Sequence, residues 1–240
     1  MTDAKMSLDG KRVIAIGGSS GIGFAVAALA RERGADVVIA SSSAANVDAA
    51  VARLPGSAGR TVDLRDEASV SRFFDQVGHF DHLAITAGDW NIPRFATRDL
   101  DLAAARDAMA VRFWGSLTAV KHGCRGIAPD GSIMLTGGML AHRPRKGMPF
   151  VTATACAMEG LARGLAVDLA PVRVNAVCPG LILTEQIKKM PEEMVRGYVA
   201  DLPLPRAASP GEAATAYVYL MLNSYVTGQT LPVDGGGLLV

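Results

Sequence analysis

Short apolar, β-branched runs alternate along this chain with longer alanine-rich stretches whose apolar positions recur every three to four residues. The short runs fall at 12–16, 37–40, 60–62, 83–86, 133–136, 172–177 and 229–233. They lack strict polar alternation, so they read as strands covered on both faces. The longer stretches read as helices over 22–33, 44–54, 67–77, 100–123, 152–169 and 211–222. Such alternation predicts an α/β fold: one doubly wound parallel sheet of about seven strands, with helices on both faces. Ser209-Pro210-Gly211-Glu212 predicts a capping box with proline at the first helical position. The stretch 181–209 holds three prolines and breaks the rhythm, which suits a lid over a site. No repeat or linker divides the chain, so residues 1–240 are expected to form a single domain.

Composition supports this picture and narrows the partners. A chain of 240 residues, half of them hydrophobic and a fifth charged, can bury a large core. With 24 basic against 23 acidic residues there is no overall field to attract nucleic acid or an anionic membrane. Arg143, Arg145 and Lys146, and the pair Lys188 and Lys189, read as solvated faces. Cys124, Cys156 and Cys178 are too far apart for a CxxC pair or a zinc knuckle, and read as buried reduced thiols without a metal. The first eight residues lack a signal-peptide core, and no apolar run reaches the length of a bilayer span. The expectation is a cytoplasmic protein.

The first strand runs into Gly17-Gly18-Ser19-Ser20-Gly21-Ile22-Gly23, and this turn opens a helix. Glycines there let the backbone approach a pyrophosphate, and the helix amino terminus offers free N–H donors and a favourable dipole. Cofactor choice is set at the tip of the second strand, where an acidic side chain selects NAD and a basic one NADP. Here the tip carries Ser41-Ser42-Ser43. Neutral hydroxyls at Ser42 and its neighbours accept a phosphate without repelling it, which tips the choice towards NADP; NAD, or no bound cofactor, stays open.

The spacing of Gly17, Gly21 and Gly23 resembles that of the short-chain dehydrogenase/reductase family, and the resemblance runs along nearly the whole chain. It implies a Rossmann-type fold and an NAD(P) site formed by Gly17, Ser19, Ser20, Gly21, Ile22 and Gly23. Asp63 and Leu64 would lie at the adenine, Ala87 and Gly88 at the adenosine ribose, and Pro179, Gly180, Ile182 and Thr184 at the nicotinamide half. Two asparagines usually precede the Ala-Gly pair; here Ile85 and Thr86 stand instead. The carboxyl-terminal stretches Tyr225-Val226-Thr227-Gly228-Gln229 and Val233-Asp234-Gly235-Gly236 also match. The family's pairing through two long helices implies a homodimer or homotetramer.

The same resemblance places this family's catalytic serine, tyrosine, lysine and asparagine at Gly138, Val151, Ala155 and Arg112. All four are replaced. No shifted Tyr-x-x-x-Lys rescues the motif, because Leu202, Met221, Asn223 and Gln229 stand four residues beyond Tyr198, Tyr217, Tyr219 and Tyr225. Substitution of Asn by Arg112 and of Lys by Ala155 keeps one positive charge in the pocket. Arg112 is open to two readings: a fork that binds a carboxylate, phosphate or oxyanion, or a surface or subunit salt bridge. His142 is either a proton source on the cleft loop or a partly exposed loop histidine. Cys156 reads as a packed small residue. Trp90, Phe95, Trp114 and Phe150 are candidates for an aromatic cleft or for core.

Three functions follow as expectations. The first is a NAD(P)-binding protein that has lost the standard carbonyl/alcohol chemistry and serves as a sensor or as partner of an active relative. The second is an atypical oxidoreductase using Arg112 and His142. The third is an oligomeric scaffold without cofactor.

Overall fold

The computed structural model describes residues 7–88 and 97–240. Seven strands form one parallel sheet in the order β3-β2-β1-β4-β5-β6-β7. They are β1 (Arg12–Ile16), β2 (Asp36–Ser41), β3 (Ala58–Thr61), β4 (Phe80–Ile85), β5 (Ile127–Thr136), β6 (Arg173–Pro179) and β7 (Thr230–Val233). All seven expected strands are present. The largest departure is β5, which starts six residues before 133: a register shift between Phe80 and His82 of β4 accommodates an irregular first half. Gly131 fits that irregularity, since a Cβ there would lie 2.4 Å from the Asp81 carbonyl.

Among the described residues, eight α-helices connect the strands: α1 (Gly21–Glu32), α2 (Ala44–Arg53), α3 (Glu67–Val77), α4 (Leu102–Met109), α5 (Ser116–Gly123), α6 (Pro149–Asp168), α7 (Glu192–Val199) and α8 (Pro210–Leu222). The single helix expected over 100–123 is instead α4 and α5 joined through a π-helical segment, Ala110–Gly115. Arg112 sits inside that segment. A π-turn rotates its residues relative to the flanking α-helix, so α-helical periodicity cannot fix where Arg112 points.

Two apolar layers sandwich the sheet. One contains Ile14, Phe73, Phe74, Phe80, Leu83, Ile133 and Met158. The other contains Val13, Val26, Ile39, Met134, Tyr217 and Leu220. At the start of α8 the capping box forms as expected: Glu212 N–H donates to Ser209 Oγ at 3.2 Å, and Ser209 N–H donates to Glu212 Oε2 at 2.8 Å. At its other end the Arg173 guanidinium donates to the carbonyls of Leu220 and Met221 at 2.6 and 2.9 Å, a cap that strand pattern alone did not reveal.

Two expectations need correction. Cys124 and Cys156 are exposed and only Cys178 is buried, because the first two face outward from helical segments at the sheet's flank. The 20-residue helix α6 is also long and apolar enough by composition to cross a membrane, contrary to the reading of the sequence. It buries Thr154, Met158, Glu159 and Ala162 and packs beside β5 and β6.

Candidate cofactor cleft and adjoining chamber

Parallel strands end at the same side of the sheet, and the chain winds away in opposite directions from β1 and β4. A crevice therefore opens beyond their carboxyl ends. It contains two adjoining cavities sharing Ile22, Thr86, Gly88 and Thr184, of about 550 and 430 Å³.

The larger cavity is lined by Gly17, Ser19, Ser20, Gly21, Ile22, Gly23, Ser41, Ser42, Asn46, Asp63, Leu64, Ala87 and Gly88. It thus gathers the glycine turn, the β2 tip and the adenosine positions inferred from the resemblance. Gly17 and Gly21 have φ of +86° and +52°, a backbone that side-chain-bearing residues rarely adopt. A Cβ on Gly23 would lie 2.3 Å from the Gly17 carbonyl and 2.3 Å from Thr86 Oγ1. The glycines therefore admit Thr86, whose hydroxyl donates to the Ile16 carbonyl at 3.2 Å, as well as opening the turn. Ser20 caps α1 without a side-chain hydrogen bond, so the first-turn N–H groups face the crevice with no cap from that side chain. Asp63 is exposed and also holds its own turn, accepting from Arg65 N–H at 2.9 Å. Glu185 and Gln186 join this lining unanticipated.

The smaller cavity is an apolar chamber. Met139, Leu140, Met148, Val151, Ala155, Leu181, Ile182, Ile187, Met190 and Met194 form its walls. Segment 181–209 supplies one side of it through Thr184, Ile187, Met190, Met194 and Tyr198. Pro179 and Gly180 complete the lining at the end of β6. Thr184 Oγ1 is buried without a hydrogen-bond partner. A buried hydroxyl left so is costly unless a ligand group meets it. The free first turn of α1, the glycine cradle and the Thr184 hydroxyl together fit a dinucleotide laid from Ser42 to Thr184.

The four positions that the resemblance assigns to catalysis meet at this chamber. Gly138, Val151, Ala155 and Arg112 line it, and a Cβ on Gly138 would come 3.9 Å from Ala155 Cβ. The Arg112 fork turns inward: Nη1 lies 3.4 Å from the Gly137 carbonyl, and a Cβ on Gly88 would lie 2.6 Å from Nη2. The guanidinium thus forms part of the chamber lining. Thr136, at the floor, bonds to the fully buried Tyr217 phenol at 2.7 Å and donates to the Ile85 carbonyl. Burial raises the Tyr217 phenol above its ordinary range, so it stays protonated at neutral pH.

His142 does not line the chamber. Its Nε2 lies 2.8 Å from Glu159 Oε1, behind the Gly137 turn, with the imidazole partly exposed. Trp114 is exposed and Phe150 half-buried, and neither lines the cavities; Trp90 and Phe95 lie outside the described residues. Among the described residues, the apolar surface comes mostly from methionines and aliphatics that no periodicity singles out. Arg145, read as solvated, stacks 4.0 Å over the Tyr198 ring at the chamber wall. Cys156 is not packed but exposed on α6. Cys178 is buried below the turn, and burial, then the nearby Glu159 and Asp234 carboxylates, push its thiol up to about 12.

The sheet order and glycine cradle define a Rossmann-type dinucleotide-binding fold. Comparison with known proteins refines the class. Residues 16–237 match the family described as enoyl-(acyl carrier protein) reductase. The chain is 35% identical to the short-chain dehydrogenase/reductase ucsE of an Acremonium species, over 97% of both chains. A solved small-chain dehydrogenase in complex with NADPH superposes with a TM-score of 0.85 at 35% identity, covering 97% of this chain and 100% of that one. The MalC reductase/Diels-Alderase of Malbranchea aurantiaca superposes with a TM-score of 0.91 at 30% identity, covering 99% and 100%. The chain belongs to the short-chain dehydrogenase/reductase family.

Proposed function

We propose that this chain binds NADP(H) along the crevice and acts as an atypical oxidoreductase on an apolar carbonyl compound held in the methionine-lined chamber. The observation that carries this reading is the Arg112 fork, turned to the junction of the two cavities where the resemblance puts an asparagine. Ser41, Ser42 and Asn46 at the β2 tip offer hydroxyl and amide groups and no carboxylate, which suits a 2'-phosphate. NADPH in the related dehydrogenase supports the same choice. The cofactor, when bound, supplies or takes a hydride.

The chain's own residues set which substrates suit it. Met139, Met190 and Met194 exclude water and mould to an apolar body. Arg112 donates hydrogen bonds to a substrate oxygen and stabilises negative charge there, but a guanidinium does not give up its proton. With Val151 and Ala155 at the tyrosine and lysine positions, protonation of that oxygen falls to water. Absence of a positioned acid typically costs about 10²- to 10⁴-fold. Substrates whose oxygen carries charge comfortably, such as quinones and 1,3-dicarbonyls, are therefore favoured over simple ketones. The description of MalC as both reductase and Diels-Alderase supports a chamber of this fold hosting reactions beyond simple carbonyl reduction.

A second reading keeps the cofactor and drops turnover, leaving a nucleotide-responsive partner or sensor; the loss of all four standard groups favours it. Calorimetric titration with NADPH and NADH, followed by NADPH oxidation against quinones, 1,3-dicarbonyls and simple ketones, separates the two. The first reading expects NADPH binding and turnover of the activated acceptors, with Arg112→Ala lowering kcat/KM about 10²- to 10³-fold. Binding without turnover of any acceptor would leave the sensor reading, and absence of NADPH binding would remove both.

A further inference from the structure

Behind the chamber floor lies a second constellation of chemistry. His142 follows a 3-10 turn, Glu159 lies on α6 and Cys178 on β6. One ligand atom from each lies within 4.8 Å of the other two. Glu159 is 4% exposed and Cys178 fully buried, whereas His142 reaches solvent. Glu159 passes beside Gly137, where a Cβ would lie 3.6 Å from its Cγ. Two buried donors of different softness and one exposed imidazole therefore lie around a common centre.

We infer that His142, Glu159 and Cys178 form a binding site for a borderline-soft divalent cation, Zn(II) in the first place. Thiolate, imidazole and carboxylate are the donors zinc takes, at about 2.0–2.3 Å, which sets tetrahedral donors about 3.5 Å apart. Glu159 and His142 already lie 2.8 Å apart and separate slightly, while the thiol closes in. The exposed turn carrying His142 supplies that adjustment and the route of entry, and water takes the fourth position. On binding, the Cys178 S–H bond breaks and its proton passes to solvent as the sulfur–metal bond forms; no oxidant or reductant is involved. Arg163 Nη1, 3.9 Å from Glu159 Oε2, leaves Oε1 for the metal. The site also ties down the turn that leads from Met139 and Leu140 to Arg145, all on the chamber wall. It is independent of the cofactor reading, and either can fail alone.

The test is Co(II) titration of metal-stripped protein carrying Cys124→Ala and Cys156→Ala, which removes the exposed thiols. The expected result is one equivalent bound, with thiolate-to-cobalt charge-transfer absorption in the near ultraviolet and a tetrahedral visible spectrum, both displaced by Zn(II). Adding Cys178→Ser should abolish the charge-transfer band. Adding His142→Ala, at an exposed position that folding tolerates, should keep the band but weaken affinity at least about tenfold. A missing band in the folded, Cys178-containing protein, or a band unmoved by Cys178→Ser, would overturn the site. Should Cys178→Ser not fold, unchanged affinity in His142→Ala would overturn it equally.

Discussion

At the scale of single residues, the cleft is shaped as much by what is missing as by what is present. Gly23 has no side chain because the space is taken by the Gly17 carbonyl and the Thr86 hydroxyl. Thr86 can rotate, but the carbonyl belongs to the cradle itself. Gly23→Ala is therefore expected to weaken NADPH binding more than tenfold and to destabilise the fold by about 1–3 kcal/mol. Calorimetric titration and thermal unfolding with and without NADPH check both effects; wild-type affinity in this variant would separate the glycine turn from the cofactor. The motif spacing made Gly17, Gly21 and Gly23 legible in the sequence. The partner that crowds them was not, because Thr86 follows β4, more than sixty residues further along the chain.

At the scale of elements, helix ends repeat the lesson in both directions. Ser209-Pro210-Gly211-Glu212 is a local signal read within four residues, and α8 begins there. Ser209→Ala should cost about 1 kcal/mol by urea unfolding, with little effect on cofactor affinity. The other end of α8 is held by Arg173 from β6, a contact no local pattern contains. The helix through 102–123 is the sharper case. Its apolar periodicity announced a helix, yet the π-helical segment at Ala110–Gly115 sets the direction of Arg112. Residue type named a candidate there; element geometry brings it to the chamber lining.

Across the whole molecule, stability should depend on pH through the sheet interior. His82 on β4 is 4% exposed and contacts Ser132 Oγ at 2.9 Å. Burial lowers its pKa from 6.5 to about 4, with the neighbouring Asp81 opposing in part. The unfolded chain therefore takes up this proton near pH 6.5 and the folded chain only near 4. Stability is fully present above pH 6.5 and falls as pH drops through that window. The loss from this group is about 3 kcal/mol. Urea unfolding of wild type and His82→Asn at successive pH values should show a shallower decline in the variant by that amount; parallel curves would assign the acid sensitivity to the carboxylates.

The sequence by itself determined the seven-stranded α/β alternation, the glycine turn and the α8 cap, because each is written in local periodicity or fixed spacing. The tertiary structure decided which way Arg112 faces, that His142 leaves the chamber to meet Glu159, and that Cys178 joins them. The spacing of the cysteines excluded a metal knuckle within one segment, and that inference holds for local motifs alone. Strands and helices far apart in the chain bring an imidazole, a carboxylate and a thiol together only once the sheet has formed. Local interactions fix the elements, but the positions of side chains at a site depend on packing between elements that the one-dimensional pattern does not encode.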